Sequence, residues 1–122
     1  MKKLIVLGIM LLGIVAMAEK LTTDGKNNLD KLKGAWGGAM YSVELKNNKW
    51  FLGSYDAEGT VWEEIQLYKN GALVIKDFYK MPNKKDKNFY FAWDSKYKIF
   101  VELDKDLNII EKVPRKLNHP YN

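Results

Sequence analysis

Tyr90-Phe91-Ala92-Trp93-Asp94-Ser95-Lys96-Tyr97-Lys98-Ile99 and Phe100-Val101-Glu102-Leu103-Asp104-Lys105-Asp106-Leu107-Asn108-Ile109 are two successive ten-residue stretches with the same plan. Each runs aromatic or β-branched, then places Asp94 or Asp104 at the same point, then returns to Ile99 or Ile109. An aspartate that opens a tight turn accepts hydrogen bonds from the backbone N–H groups just ahead of it, so its recurrence has a structural cause. A period near ten is one strand plus one turn. It predicts an up-and-down antiparallel meander rather than a solenoid, whose units are longer. Tyr55-Asp56 begins a third turn in the same way.

Working towards the N-terminus, the same alternation of short apolar runs and turn residues continues. Strands are predicted over about 35–45, 50–55, 60–69 and 72–80, then 88–94, 97–104 and 107–113. Tyr41, Val43 and Leu45 share one face of the first; Met40, Ser42 and Glu44 share the other. Gly37-Gly38 within it marks a bulge or a close backbone approach. Lys46-Asn47-Asn48-Lys49 and Asp56-Ala57-Glu58-Gly59 turn the chain, and Asn70-Gly71 is the strongest hairpin signal. Leu73-Val74-Ile75 and Ile99-Phe100-Val101 are apolar on both faces, which fits a rolled or stacked sheet better than a flat one. The fold class is therefore all-β: a small antiparallel meander of about seven strands, barrel-like or packed as two sheets. Asn28-Leu29-Asp30-Lys31-Leu32-Lys33 ahead of Gly34 reads as a short N-terminal helical turn.

The chain opens with a different signal. Met1-Lys2-Lys3 is basic, Leu4 to Val15 is apolar, and Ala16-Met17-Ala18 precedes charged Glu19-Lys20. A basic start, an apolar centre and an A-x-A exit make a secretory signal peptide, with Ala16 and Ala18 flanking the cut. The apolar run is short of the roughly 20 residues a membrane span needs. The expected organisation is a leader over 1–18, a lead-in over 19–34, a β domain over 35–114 and a tail over 115–122. The protein is expected to be exported, to the periplasm or the medium, with no membrane span after the leader.

Removing Lys2 and Lys3 with the leader takes 20 basic residues to 18 against 15 acidic, a charge of +3. That excess is mild and interspersed with acids, unlike the concentrated basic face of a nucleic-acid binder. Cysteine is absent, so no disulfide supports this exported domain and packing alone must hold it. The packing material is aromatic: 4 Trp, 7 Tyr and 5 Phe.

Gly34-Ala35-Trp36, following a helical turn and opening the first strand, resembles the G-x-W signature of the lipocalin and wider calycin group. In that group a basic residue late in the barrel lies over the tryptophan, and the resemblance gives that place to Arg115 or Lys112. It implies a barrel-like body. Because the chain after the leader is short for a full eight-stranded cup, it implies a reduced version with its cavity filled by side chains.

The groups for catalysis are sparse. No cysteine nucleophile exists, and the single histidine, His119, lies in the tail, where a base is hard to hold in register. Asp104-x-Asp106-x-Asn108 copies the start of a calcium loop but carries Ile109 where glycine is required and Arg115 where glutamate is required; a hairpin turn accounts for it, and no metal site is expected. Glu63 and Glu64 are adjacent on a strand and point to opposite faces. Glu63 shares its face with Val61, Ile65 and Leu67, so it is the buried acid of the two, with an ion pair to a neighbouring lysine as the ordinary expectation.

What remains is binding. Trp50, Trp62, Phe91 and Trp93 are the candidate ligand-contacting rings, and Lys80, Lys84, Lys85 and Lys87 form a basic loop suited to an anionic surface. The expectation is an exported, non-catalytic binding protein for a small apolar ligand, a lipid or an envelope component, with no cofactor. The alternative is an adhesion- or inhibitor-type protein-interaction module with a packed interior. A carrier requires an apolar cavity of roughly 300 Å³ or more; a module requires a filled interior and an exposed aromatic patch.

Overall fold

Gly37 and Gly38 divide the first predicted strand in two. Both take left-handed φ, 62° and 64°. The turn they make is closed by Met40 N–H donating to the Gly37 carbonyl at 3.1 Å. In the computed structural model, which describes residues 18–80 and 85–115, this turn separates β1 (Gly34–Trp36) from β2 (Tyr41–Lys46). A four-residue helix, α1 (Leu29–Leu32), precedes β1 and buries Leu29 and Leu32. The remaining strands are β3 (Lys49–Asp56), β4 (Gly59–Glu64), β5 (Gln66–Leu67), β6 (Leu73–Ile75), β7 (Phe89–Asp94), β8 (Ile99–Leu103) and β9 (Ile109–Val113).

The protein is all-β, and every strand pairs antiparallel with its sequence neighbour within two sheets, β1-β2-β3-β4 and β5-β6-β7-β8-β9. The nine strands exceed the predicted seven because two predicted strands are each broken once, at Gly37-Gly38 and at Ile65. Ile65 carries the chain from β4 into β5, its N–H donating to the Trp50 carbonyl at 2.9 Å. The fourth predicted strand also ends early, at Ile75 rather than Lys80. Asp77 takes φ 54°, which turns Phe78 into the core.

The sheets are not closed into a barrel. The end of the meander nevertheless returns to its start: Trp36 forms an antiparallel bridge with Arg115, and Gly37 N–H donates to the Pro114 carbonyl at 2.8 Å.

The interior between the sheets is a stack of rings. Tyr41 lies 5.3 Å from Phe100 with planes 5° apart, and Phe91 lies 5.0 Å from Phe100 at 10°. Phe89 stacks on Phe91 at 5.4 Å, and Phe78 stacks on Phe89 at 4.9 Å. Leu32, Trp36, Val43, Leu52, Leu73 and Ile75 fill the remainder. Offset ring stacks add to the large apolar area each ring buries, which is how a thiol-free small domain obtains a core.

The second sheet is buried on both faces, which is why β6, β7 and β8 lack alternation. Val74, Tyr90, Ala92, Val101, Leu103 and Leu107 form an outer cluster on which Leu21 packs. The segment carrying Leu21, expected to be a loose lead-in, is instead laced to this sheet. Lys20 bridges Asn108, Leu21 N–H donates to the Leu107 carbonyl, and Ile109 N–H donates to the Glu19 carbonyl.

Candidate functional site

The inward face of the first sheet carries Tyr41, Val43, Leu52 and Ser54 on β2 and β3, all buried. Register extends that face to β4, where Glu63 opposes Leu52 and Val61 opposes Ser54. The opposite face points outward and carries Trp62 across from Gly53, Phe51 between Glu44 and Glu64, and Tyr55 across from Thr60.

The four candidate rings do not converge. Phe91 is fully buried within the stack. Trp50 and Trp93 are partly buried against the core, Trp93 edge-on to Trp36 at 6.1 Å. Trp62 alone of the four is on the outside, 38% exposed. Its indole covers Gly53 so closely that a Cβ there would stand 2.7 Å from the ring, and Lys46 Nζ lies 3.6 Å from a Trp62 ring centroid. With Tyr55 at 61% and Met40 at 50% exposure, whose neighbouring backbones are joined by Tyr55 N–H to the Met40 carbonyl, Trp62 makes an aromatic and apolar outer patch. Met40 and Tyr55 were not singled out in the sequence. Pairing of Tyr55 with Thr60 puts Tyr55 on the face of Trp62, and the backbone bond from Tyr55 brings Met40 beside it.

The basic loop is not one surface. Lys85 and Lys87 are exposed, whereas Lys80 turns back, its Nζ donating to the Tyr55 carbonyl at 2.9 Å. Lys84, Ala16 and His119 lie outside the described residues, as do 1–17 and 116–122.

Of the two basic residues proposed to cover Trp36, Arg115 does so. Its guanidinium carbon is 4.1 Å from the Trp36 ring centroid, and its two terminal nitrogens donate to the carbonyls of Lys33 at 3.2 Å and Lys31 at 3.0 Å. Trp36 Nε1 donates to the Leu32 carbonyl at 2.7 Å, so ring and cation together hold α1 over this end of the body. Gly34, with φ 118°, leaves room for the guanidinium, which would stand 2.8 Å from a Cβ at that position. Lys112 instead pairs with Glu19 at 3.2 Å and lies 3.7 Å from the Tyr97 ring centroid. Glu19 also accepts from Tyr97 Oη and meets Lys96 at 3.6 Å; the Tyr97 bond, outweighing burial, leads in holding its carboxyl below the usual range.

The calcium-like stretch is a turn. Asp104 Oδ1 accepts from the N–H groups of Asp106 and Asn108, each at 2.9 Å, and Oδ2 accepts from Asn108 Nδ2 at 2.8 Å. Burial pushes the Asp104 carboxyl up, but these bonds outweigh it and the net direction is down. Asp94 organises the preceding turn in the same way. Its Oδ1 accepts from Lys96 and Tyr97 N–H, and its Oδ2 accepts from Thr22 N–H at 2.8 Å. Among the described residues, no three His, Cys, Asp or Glu side chains come together as a metal site.

Among the described residues, two inward polar atoms find no partner: Ser54 Oγ and Glu63 Oε1. The lysine partner expected for Glu63 is not found among the described residues. Burial, and then the charge of Asp77, push the Glu63 carboxyl upward. Concavities of about 430, 270 and 210 Å³ open on the outside of the body, and no residue lining them belongs to the ring stack. The first lies beside the laced segment, lined by Lys20, Leu21, Thr23, Gly25, Asn70 and Asp106 among others.

Compared with protein-family models, with curated proteins and with solved structures, the chain matches none.

Proposed function

We propose that this chain is an exported, non-catalytic binding protein of the envelope or the medium, and that it recognises another protein through its outer surface. The observation that carries this reading is the filled interior. Tyr41, Phe78, Phe89, Phe91 and Phe100 occupy the space in which a carrier would hold an apolar ligand. The recognition surface is the outer face of the first sheet, where Trp62, Tyr55 and Met40 are exposed beside the Glu44–Lys46 ion pair at 3.5 Å. Aromatic side chains rimmed by charge are the usual anchors of protein interfaces. Export is proposed from the leader-like opening of the sequence. A reduced lipocalin-like body is proposed from Gly34-Ala35-Trp36, supported by the position of Arg115 over Trp36; the fold alone would name no partner.

Two measurements test the reading. Tryptophan emission titrated with fatty acids or an apolar dye is expected to stay flat; a saturable shift would favour the carrier instead. A partner captured from envelope extracts is expected to be lost on Trp62→Ser with Tyr55→Ser; capture unaffected by that pair would remove the proposed surface.

A further inference from the structure

β4 is an edge strand. It pairs with β3 on one side, and among the described residues no strand pairs with its other side. The body covers its other long edges with its own chain. β1 is met by the Trp36–Arg115 bridge and the Pro114 carbonyl, and β9 by the Lys20–Asn108 bridge and the Glu19 carbonyl. β5 is only 2 residues long. β4 has 6 residues, of which Thr60, Val61, Trp62 and Glu64 are exposed.

The pairing fixes which backbone groups this edge presents. Tyr55 N–H donates to the Met40 carbonyl, away from β4, so Tyr55 and Thr60 face each other without exchanging hydrogen bonds. In an antiparallel ladder such pairs alternate with bonded ones. The N–H and C=O groups of Thr60, Trp62 and Glu64 therefore point out of the edge, while those of Val61 and Glu63 are used on Ser54 and Leu52. Ile65 N–H, which donates to the Trp50 carbonyl, keeps the same alternation. The Trp62 indole lies back over Gly53 in β3 and so leaves this row of groups clear. An unpaired row of this kind is a template for another strand.

The row is its own complement. Thr60 and Glu64 are evenly spaced about Trp62. A second β4 running antiparallel, with a two-fold axis at Trp62, sets Trp62 against Trp62 and Thr60 of each copy against Glu64 of the other. Every outward group then meets an outward group, as bonded pairs require. Each Thr60 hydroxyl is placed to donate to the facing carboxylate, and Glu63 faces Val61. Both acids sit at one end of β4, so a parallel copy would bring acids together, where they repel. The acids thus select the antiparallel arrangement.

We propose that β4 is a self-association edge, on which two copies of this chain pair β4 with β4 antiparallel about Trp62 and join their first sheets into one. The outer patches of Trp62 and Tyr55 become neighbours on one continuous face. The pairing goes beyond the recognition proposed above and needs no other protein, so its test stands apart from the capture experiment.

The test is sedimentation equilibrium of the purified chain over a dilution series, with amide hydrogen exchange followed at the same concentrations. A reversible monomer–dimer equilibrium is expected. The amides of Thr60, Trp62 and Glu64 are expected to exchange more slowly as concentration rises, while those of Val61 and Glu63 are protected throughout. Thr60→Glu sets acid against acid at both ends of the pairing and is expected to raise the dissociation constant about tenfold. Adding Glu64→Lys to Thr60→Glu turns both pairs into attractions and is expected to restore pairing to wild-type strength or better. Positions 60 and 64 are exposed, so the core is untouched, and circular dichroism checks the fold of each variant. A dimer whose outward amides exchange no more slowly, a Thr60→Glu variant that pairs as wild type does, or no rescue by Glu64→Lys would each overturn the proposal. So would a monomer at every concentration; protection of those amides by a captured partner would then give the edge to that partner.

Discussion

Arg115 spans the two ends of the strand series, its guanidinium resting on Trp36 while its nitrogens hold the carbonyls of Lys31 and Lys33. A cation over an indole contributes about 0.5–1 kcal/mol, and a hydrogen bond from a charged donor about 1.5–3 kcal/mol when buried, less at an exposed side chain such as this one. Arg115→Ala is expected to lower unfolding stability by about 2 kcal/mol in urea denaturation. Arg115→Lys should recover little, because a single ammonium lacks the planar fork that meets both carbonyls and the ring together. Full recovery by lysine would show that only charge matters at this position.

Gly53 is the floor beneath Trp62. A Cβ at that position would stand 2.7 Å from the indole, so Gly53→Ala forces the ring off the sheet. Overpacking of this kind costs about 1–3 kcal/mol. Trp62→Ala on the Gly53→Ala background should recover much of that loss, a non-additivity expected only of residues in contact. Additive losses in the double variant would contradict the contact.

Ser54→Ala removes a buried hydroxyl that has no partner among the described residues. The predicted effect is a gain of about 1 kcal/mol in stability, since an unsatisfied buried polar group costs about 1–3 kcal/mol. Unchanged or lower stability would show that the hydroxyl is satisfied in solution.

Glu63 has a pH signature. Its folded-state carboxyl titrates above the ordinary value of 4.5 through burial and the charge of Asp77. The native state thus holds this proton more tightly than the unfolded chain does. The stabilisation is fully present below the ordinary value and is lost as pH rises through the raised one. Glu63→Gln should therefore melt higher than wild type at neutral pH, with the difference shrinking towards pH 4. Glu19 and Asp104 act in the opposite sense, since both are lowered and lose stability as pH falls; comparing wild type with Glu63→Gln cancels them.

Much of the fold was legible because turns in this chain are spelled out. Asp94 and Asp104 recur ten residues apart because each accepts the backbone N–H groups of the turn it opens. Asn70 and Gly71 take φ 52° and 82°, as the hairpin signal requires. The breaks were harder to read. Ile65 interrupts a continuous apolar and polar alternation with no glycine or proline to mark it; the interruption comes from passing between two sheets, a tertiary fact. The lacing of Glu19–Thr22 was invisible for the same reason. Its partners, Asp94, Ser95 and the 107–109 backbone, lie more than seventy residues away and leave no local pattern. Among the candidate rings, composition could not separate Phe91 in the stack from Trp62 on the surface. Register with Leu52 and Gly53 separates inward from outward on β4, and register is known only once the strands are paired.

The bridge between Trp36 and Arg115 also has a temporal meaning. A chain is made from its N-terminus, and 78 residues separate these two partners. Although β1 can pair with β2 early, Trp36 meets Arg115 only after the stretch between them has been made, so shorter nascent chains lack this clasp. A contact of such high sequence separation is among the slower ones to form, so this clasp is set late in folding.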